Sequence, residues 1–134
     1  MKIAIDFDGT CVTDKFPYVG EEIGAAPVLK ALVDAGHQLI LYTMRSNKQQ
    51  SPTSLRSVLG DALRWFESHN ITLWSVNKDR NQEQWTDSPK CHADLCIDDR
   101  NIGTPLRYKL YGKPYVDWEK MQQILCEMNI IPSR

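Results

Sequence analysis

Two aspartates follow the first apolar run of the chain, in the order Lys2-Ile3-Ala4-Ile5-Asp6-Phe7-Asp8-Gly9-Thr10. The residues from Ile3 to Phe7 predict a short buried strand that is stopped by Gly9. Because side chains alternate along a strand, Asp6 and Asp8 are expected on the same side, where two carboxylates repel each other unless a cation lies between them. A hard cation such as Mg²⁺ suits such a pair, since it takes oxygen ligands and needs few carboxylates from the protein. The pattern offers a nucleophile, a proton donor and a metal ligand within three residues, although an ordinary charged turn has the same composition.

Short apolar runs alternate with helical patterns along the rest of the chain. The predicted strands are 3–7, 39–42, 71–76, 93–97 and 114–116, and the predicted helices include 26–35, 106–110 and 118–128. Another helix, capped by Ser51 or Thr53, is expected to place Leu55 on its buried face, and Gly36 is expected to end the first helix. Strands that alternate with helices are typical of a parallel sheet. The sequence therefore predicts one α/β domain over 1–134, a three-layer Rossmann-like parallel sheet with helices on both faces.

Polar side chains follow three of the predicted strands. They are, in chain order, Asp6 with Asp8, Thr43 with Arg45, and Asp98 with Asp99. Folds of this class bind ligands at the carboxyl ends of their strands. Three such pairs at one edge of the sheet predict a ligand site there.

Composition and charge narrow the classes of function. The chain has 134 residues, of which 42% are hydrophobic and 25% charged, and this composition is typical of one globular domain. The net charge of −1 gives no support for binding to nucleic acid or to an anionic membrane. No apolar run has the length of a membrane span, no signal peptide is expected, and the predicted location is cytoplasmic. The four cysteines are expected to be reduced thiols. Cys91, His92 and Cys96 fit no common zinc spacing, and Cys96 is expected to pack in the core.

The three motifs together resemble those of the haloacid dehalogenase (HAD) superfamily of phosphatases and phosphotransferases, and the match covers most of the chain. The segment Asp6 to Thr10 is similar to the nucleophile motif of that superfamily, and the apolar run ending in Thr43 is similar to its phosphate-binding motif. The run Ala93-Asp94-Leu95-Cys96-Ile97-Asp98-Asp99 is similar to its acidic metal motif. The resemblance implies a Mg²⁺-dependent phosphomonoester hydrolase that acts on a small phosphorylated metabolite, either a sugar phosphate or a nucleotide.

The resemblance also implies a role for each carboxylate. Asp6 would attack phosphorus and form an aspartyl-phosphate, and Asp8 would protonate the leaving oxygen and then take a proton from water. Mg²⁺ would be held by Asp6, by Asp8 through its backbone carbonyl, and by Asp98, with Asp99 as the second member of the acidic pair. Which of Asp98 and Asp99 touches the ion directly is open.

The remaining expected site residues carry hydroxyl or positive charge. Thr43 would hydrogen-bond the phosphoryl oxygens, and Arg45 is either a second substrate contact or an ordinary loop arginine. A lysine is also implied, to offset charge on Asp6 and the phosphate. Lys90, shortly before the fourth strand, is favoured for this role over Lys78, which follows the third strand.

The spacing leaves no room for the cap domain that most HAD proteins carry. The site is therefore expected to be open, covered only by residues 12–23 and 79–89, with Tyr18 and Trp85 as their large side chains. Water exclusion would then depend on loops, on a partner copy in a homo-oligomer, or on a large substrate. Two other classes remain, a non-catalytic HAD-like binding or regulatory module and a phosphoreceiver domain. The receiver is disfavoured, because its phosphoacceptor would end the third strand, where this chain has Val76-Asn77-Lys78.

Overall fold

The chain folds around one parallel sheet of four strands. In the computed structural model, which describes residues 1–109 and 112–133, these are β1 (Lys2–Ile5), β2 (Gln38–Leu41), β3 (Ser75–Val76) and β4 (Leu95–Ile97). Their order across the sheet is β3-β2-β1-β4, so β1 lies between β2 and β4. Ile5 pairs with Leu41 on one side and with Ile97 on the other. Three strands therefore end level, and the residues that follow them meet at one edge.

Within the described residues, three α-helices flank the sheet, namely α1 (Ala25–Asp34), α2 (Val58–Ser68) and α3 (Trp118–Glu127). Gly36 ends α1 as predicted, with φ of +93°, and the N–H groups of Gly36 and His37 donate to carbonyls of the last turn. The side chains of Ser57 and Asp117 cap the amino ends of α2 and α3. None of the helices in the described ranges is long and apolar enough to cross a membrane.

The core forms where the sheet meets these helices. Its fully buried members include Ile3, Ile5, Phe7, Leu29, Leu32, Leu39, Leu41 and Phe66. Phe7 meets the edge of the Trp65 ring at a centroid distance of 5.8 Å, and Trp65 meets Phe66 at 5.0 Å. Burial on both faces makes β1 a rigid support for the residues that follow it.

Helix α2 begins later than the sequence predicts. Its cap is Ser57, whereas the hydroxyl of Ser51 accepts hydrogen bonds from the N–H groups of Thr53 and Ser54 at 3.2 and 3.1 Å. Such a local turn competes with helix formation. Leu55, expected on the buried face, is fully exposed in this loop.

The helix predicted over 106–110 is wrong for its first residues, and Leu110 lies outside the described residues. Leu106–Arg107 forms strand β5, which pairs antiparallel with β6 (Tyr115–Val116), inside the predicted strand 114–116. The N–H of Val116 donates to the carbonyl of Gly9 at 3.0 Å. These distant pairings override the local helical pattern.

Strand β4 lies at an edge of the sheet, and this overturns the expected burial of Cys96. The side chain of Cys96 is exposed, while its neighbour Ile97 is buried. The apolar run 93–97 predicts core packing for Cys96, but an edge strand is covered less completely than a central one. All four cysteines are free thiols.

Candidate active site

Three carboxylates come together where β1 and β4 end. Asp6 follows β1 directly, and its N–H donates to the carbonyl of Ile97, the last residue of β4, at 3.1 Å. Asp98 and Asp99 come next in the chain. One oxygen from each of Asp6, Asp98 and Asp99 lies within 4.8 Å of the other two. We call these three residues the acidic cluster.

Thr10 links two members of the acidic cluster. Its buried hydroxyl lies 3.2 Å from Oδ2 of Asp6 and 2.9 Å from Oδ1 of Asp99, and it accepts a hydrogen bond from the N–H of Asp99 at 3.0 Å. A hydroxyl has one proton to donate, so it can serve one carboxylate at a time. The sequence alone assigns Thr10 no role, because its partner Asp99 is 89 positions away. In the sequence, the one signal that could have indicated a role for Thr10 is its position directly after Gly9.

Gly9 is required by the shape of the same turn. Its φ is +82°, and a Cβ atom on it would lie 2.6 Å from Oδ2 of Asp99. Glycine adopts this left-handed conformation without steric cost and leaves space for a close neighbour. The turn therefore brings the backbone directly against the acidic cluster.

The acidic cluster concentrates negative charge away from water. Burial raises the pKa of Asp6 to about 8, with further contributions from its hydrogen bond to Asp99 and from the charge of Asp98. Burial also raises the pKa of Asp98, as does the charge of Asp99, although the N–H of Arg100 opposes the shift. Neighbouring carboxylates that resist ionisation need a proton or a cation between them. An all-oxygen donor set this compact fits a hard divalent cation such as Mg²⁺.

The carboxylate of Asp8 is bound to Arg45 and is not part of the acidic cluster. Nε of Arg45 lies 2.9 Å from Oδ2 of Asp8, and Nη2 lies 2.7 Å from Oδ1. This bidentate pair is well buried, with exposed side-chain fractions of 1% for Arg45 and 17% for Asp8. The sequence places both residues correctly at the sheet edge. It does not anticipate that they bind each other, so the interpretations of Arg45 as a substrate contact or as an ordinary loop arginine do not describe this side chain.

Thr43 lies beside this pair, two residues after β2 ends. It is half-buried, its hydroxyl accepts a hydrogen bond from the N–H of Arg45 at 3.1 Å, and its own N–H donates to Oδ1 of Asn77 at 2.8 Å. Asn77 follows β3 and has a positive φ of 60°. The loops after β2 and β3 are thus joined at the same edge as the acidic cluster.

The two candidate lysines lie in different places. Lys78 directly follows Asn77, whose side chain bonds the N–H of Thr43 at this edge. The backbone carbonyl of Lys90 accepts from the Gln82 side chain, which also accepts from the N–H of His92. His92 contacts Asp79, which is ion-paired to Lys2 at the start of β1. The backbone around Lys90 is therefore connected to the amino end of β1, at the opposite edge of the sheet. This is expected, because Lys90 precedes β4 and the parallel strand β4 begins at that edge.

Comparison with known proteins identifies one relative by structure. No protein-family model matches the chain, and no curated protein matches it. A solved structure of a conserved protein from Bacteroides thetaiotaomicron matches with a TM-score of 0.72 and 35% sequence identity, over 100% of this chain and 98% of that one. The chain belongs to the same family as that conserved protein. In this family the shared α/β fold extends over essentially the whole of both chains.

Residues 12–23 lie across the carboxyl side of β1, as a loop fastened at several points. Val12 forms an isolated bridge with Glu22, whose carboxylate contacts Nε1 of Trp65 at 2.6 Å and Nε2 of His69 at 2.9 Å. The backbone carbonyl of Tyr18 accepts from Arg45 at 2.8 Å, while the Tyr18 side chain is half exposed. The loop is therefore held to the body of the protein by main-chain and side-chain bonds.

Proposed function

We propose that the protein is a Mg²⁺-dependent phosphomonoester hydrolase of the HAD superfamily that acts through an aspartyl-phosphate on Asp6. The observation that supports this most strongly is the meeting of Asp6, Asp98 and Asp99 within 4.8 Å at the ends of two adjacent parallel strands. Asp8 lies two residues beyond the nucleophile, as the superfamily motif requires. We propose a small phosphorylated metabolite as substrate, a sugar phosphate or a nucleotide. The four free thiols fit a cytoplasmic location.

We further propose that the fold is the three-layer Rossmann-like arrangement without a cap domain. The strand order β3-β2-β1-β4, with all four strands parallel, supports the Rossmann-like assignment. Between β1 and β2 the chain holds one loop and α1, and between β2 and β4 it holds α2, β3 and a 3-10 turn at Gln82–Gln84. These short connections support an active site open at the carboxyl edge.

In the first chemical step, an Asp6 oxygen attacks phosphorus and the bond from phosphorus to the leaving oxygen breaks. Asp8 gives its proton to that oxygen, which departs as an alcohol. The acidic cluster would hold Mg²⁺, and its positive charge would stabilise the negative charge of the phosphoryl group. A carboxylate nucleophile divides one difficult displacement into two steps, each with a lower barrier.

In the second step, water attacks phosphorus and the bond to Asp6 breaks. Asp8, now ionised, takes a proton from this water, so phosphate leaves and both carboxylates return to their starting states. Thr43 lies at the neighbouring strand end, where its hydroxyl would bind a phosphoryl oxygen. For the lysine, we propose Lys78 in place of Lys90, because Lys78 directly follows Asn77, whose side chain bonds the N–H of Thr43.

A non-catalytic HAD-like binding module is the alternative, and one observation favours it. Both oxygens of Asp8 are engaged by Arg45, which leaves the proposed acid less free than in an unpaired carboxylate. A screen of phosphorylated metabolites with Mg²⁺, measuring phosphate release, separates the two functions. Release that requires Mg²⁺ and disappears in Asp6→Asn supports the hydrolase. Binding of a phosphorylated compound without release by the wild type would support the binding module.

A further inference from the structure

We infer that Arg45 is the positioning residue for Asp8, and that through Asp8 it determines how well the enzyme cleaves phosphate esters with poor leaving groups. This inference rests on the proposed hydrolase function. It assigns Arg45 to proton transfer at the leaving oxygen and not to phosphate binding.

The guanidinium of Arg45 is almost fully used inside the protein. Besides its two bonds to Asp8, it donates to the carbonyl of Val58 at 2.9 Å and to that of Tyr18 at 2.8 Å. These bonds occupy four of the five N–H donors that a guanidinium carries. The residue is only 2% exposed. A side chain so placed cannot offer the two parallel donors with which arginine recognises a phosphate.

The environment of Arg45 also fixes its orientation. Its guanidinium carbon lies 5.0 Å from the ring centroid of Phe7 and 5.2 Å from that of Phe16. Phe7 is buried in the core, whereas Phe16 comes from the loop 12–23. The bonds to Val58 and Tyr18 join the start of α2 to the same loop. Arg45 is therefore held by three parts of the protein besides Asp8, namely Phe7, the start of α2 and the loop 12–23.

A fixed bidentate partner fixes Asp8. Binding both oxygens sets the plane of the carboxylate and the direction of its remaining lone pairs. A general acid must come within hydrogen-bond reach of the leaving oxygen, and a displacement of about 1 Å can cost on the order of 100-fold in rate. The pair must loosen only enough for an Asp8 oxygen to carry the proton.

The leaving group distinguishes this role from a purely structural one. Phosphorus–oxygen cleavage gains much from protonation when the leaving oxygen is strongly basic and little when it is already stable as an anion. If Arg45 positions the acid, its loss should matter for phenyl phosphate and hardly at all for 2,4-dinitrophenyl phosphate. If it only supports the fold, all aryl phosphates should suffer equally.

The test measures kcat/KM for a series of aryl phosphates, from dinitrophenyl to phenyl, with wild type, Arg45→Lys and Arg64→Lys. This parameter reports steps up to formation of the aspartyl-phosphate. Arg64 is an exposed arginine on α2 paired with Glu67, so Arg64→Lys is the matched control. We expect Arg45→Lys to lose about 100-fold on phenyl phosphate and less than about threefold on dinitrophenyl phosphate. A uniform loss, or no loss, overturns the inference.

A double-mutant cycle with Asp8→Asn adds a second criterion. If Arg45 acts through Asp8, Arg45→Lys should cause less than about a threefold further loss on nitrophenyl phosphate once Asp8 is an amide. Losses that multiply would overturn the inference.

If Arg45→Lys does not fold, Phe16→Leu removes one aromatic contact of the guanidinium at a partly exposed position. Phe16→Leu should show the same dependence on the leaving group as Arg45→Lys, with a smaller loss in kcat/KM. A loss that is uniform across the esters, or no loss, would overturn the inference. Wild type that releases no phosphate from any ester would instead refute the proposed hydrolase.

Discussion

Replacing Gly9 by alanine tests whether the backbone turn shapes the acidic cluster. The new Cβ would lie 2.6 Å from Oδ2 and 2.8 Å from Cγ of Asp99. To regain ordinary van der Waals contact, the Asp99 carboxylate would have to retreat by on the order of 0.5–1 Å. That movement would stretch its 2.9 Å bond to the Thr10 hydroxyl. Gly9→Ala should therefore disturb both folding and the proposed cation site.

The chain offers a matched control in Gly36→Ala. Gly36 has a similar φ of +93°, but a Cβ there would meet nothing within 4 Å. Both variants share the strain of a left-handed alanine, roughly 1–2 kcal/mol, and the same gain from a less flexible unfolded chain, about 0.4–1 kcal/mol. Only Gly9→Ala adds the cost of forcing a close contact, about 1–3 kcal/mol. We expect Gly36→Ala to lose about 1 kcal/mol and Gly9→Ala roughly 2–4 kcal/mol.

Urea unfolding in the presence of a chelator measures the free energy of unfolding of both variants. A second measurement is the rise in melting temperature with added Mg²⁺, which reports binding to the folded state. Displaced cation ligands typically cost about 10–100-fold in affinity, so Gly9→Ala should need correspondingly more Mg²⁺, while Gly36→Ala should match the wild type. Equal behaviour of the two variants in both measurements would show that the Asp99 contact does not shape the site.

Three further predictions concern the acidic cluster itself. Asp6→Asn should remove phosphate release by several orders of magnitude while the protein stays folded, and a residual rate above about a tenth of wild type would refute the nucleophile assignment. Ca²⁺ should replace Mg²⁺ poorly in the phosphate-release assay, because it prefers more ligands than this cluster supplies, and full activity in chelator would argue against a metal-dependent reaction. Without Mg²⁺, stability should fall as pH rises from the ordinary Asp6 pKa of 3.8 towards about 8, since the folded state binds the proton more tightly than the unfolded chain. Urea titrations across this range should show the free energy of unfolding of the wild type falling with pH, and falling less in Asp6→Asn or in excess Mg²⁺. A wild-type free energy that does not change with pH would contradict the raised pKa.

The sequence predicts the sheet well, because its signals are local. The apolar runs around Ile5, Leu41 and Ile97 mark three strands, and the stop at Gly36 follows from helix chemistry alone. Level strand ends follow from parallel pairing, so the meeting of Asp6 with Asp98 at one edge could be expected from the amino-acid sequence alone. The α/β class rests on the same reasoning.

What the sequence could not predict depends on which distant side chains meet. Arg45 and Asp8 are 37 positions apart, and only their burial converts two polar residues into a bidentate pair. The strand at Leu106 forms because Tyr115 and Val116 pair with it, against a local helical pattern. The choice between Lys90 and Lys78 depends on which of them lies near Asp6, and the resemblance, which favours Lys90 for its place shortly before β4, gives a position along the chain and not in space.

The loop 12–23 shows how these long-range contacts bear on function. Its exposed ion pairs, Lys15 with Glu21 and Lys109 with Glu21, contribute little individually to its stability. The bonds from the buried Arg45 to the Tyr18 carbonyl and from the buried Trp65 to Glu22 hold it more firmly, since breaking either leaves a donor of a buried side chain unsatisfied. Under the proposed function without a cap domain, a loop held in this way does not need to open for substrate to enter. Under the proposed function, the same arginine that binds the Tyr18 carbonyl of this loop also positions Asp8 for proton transfer, so changes in the loop should affect that transfer.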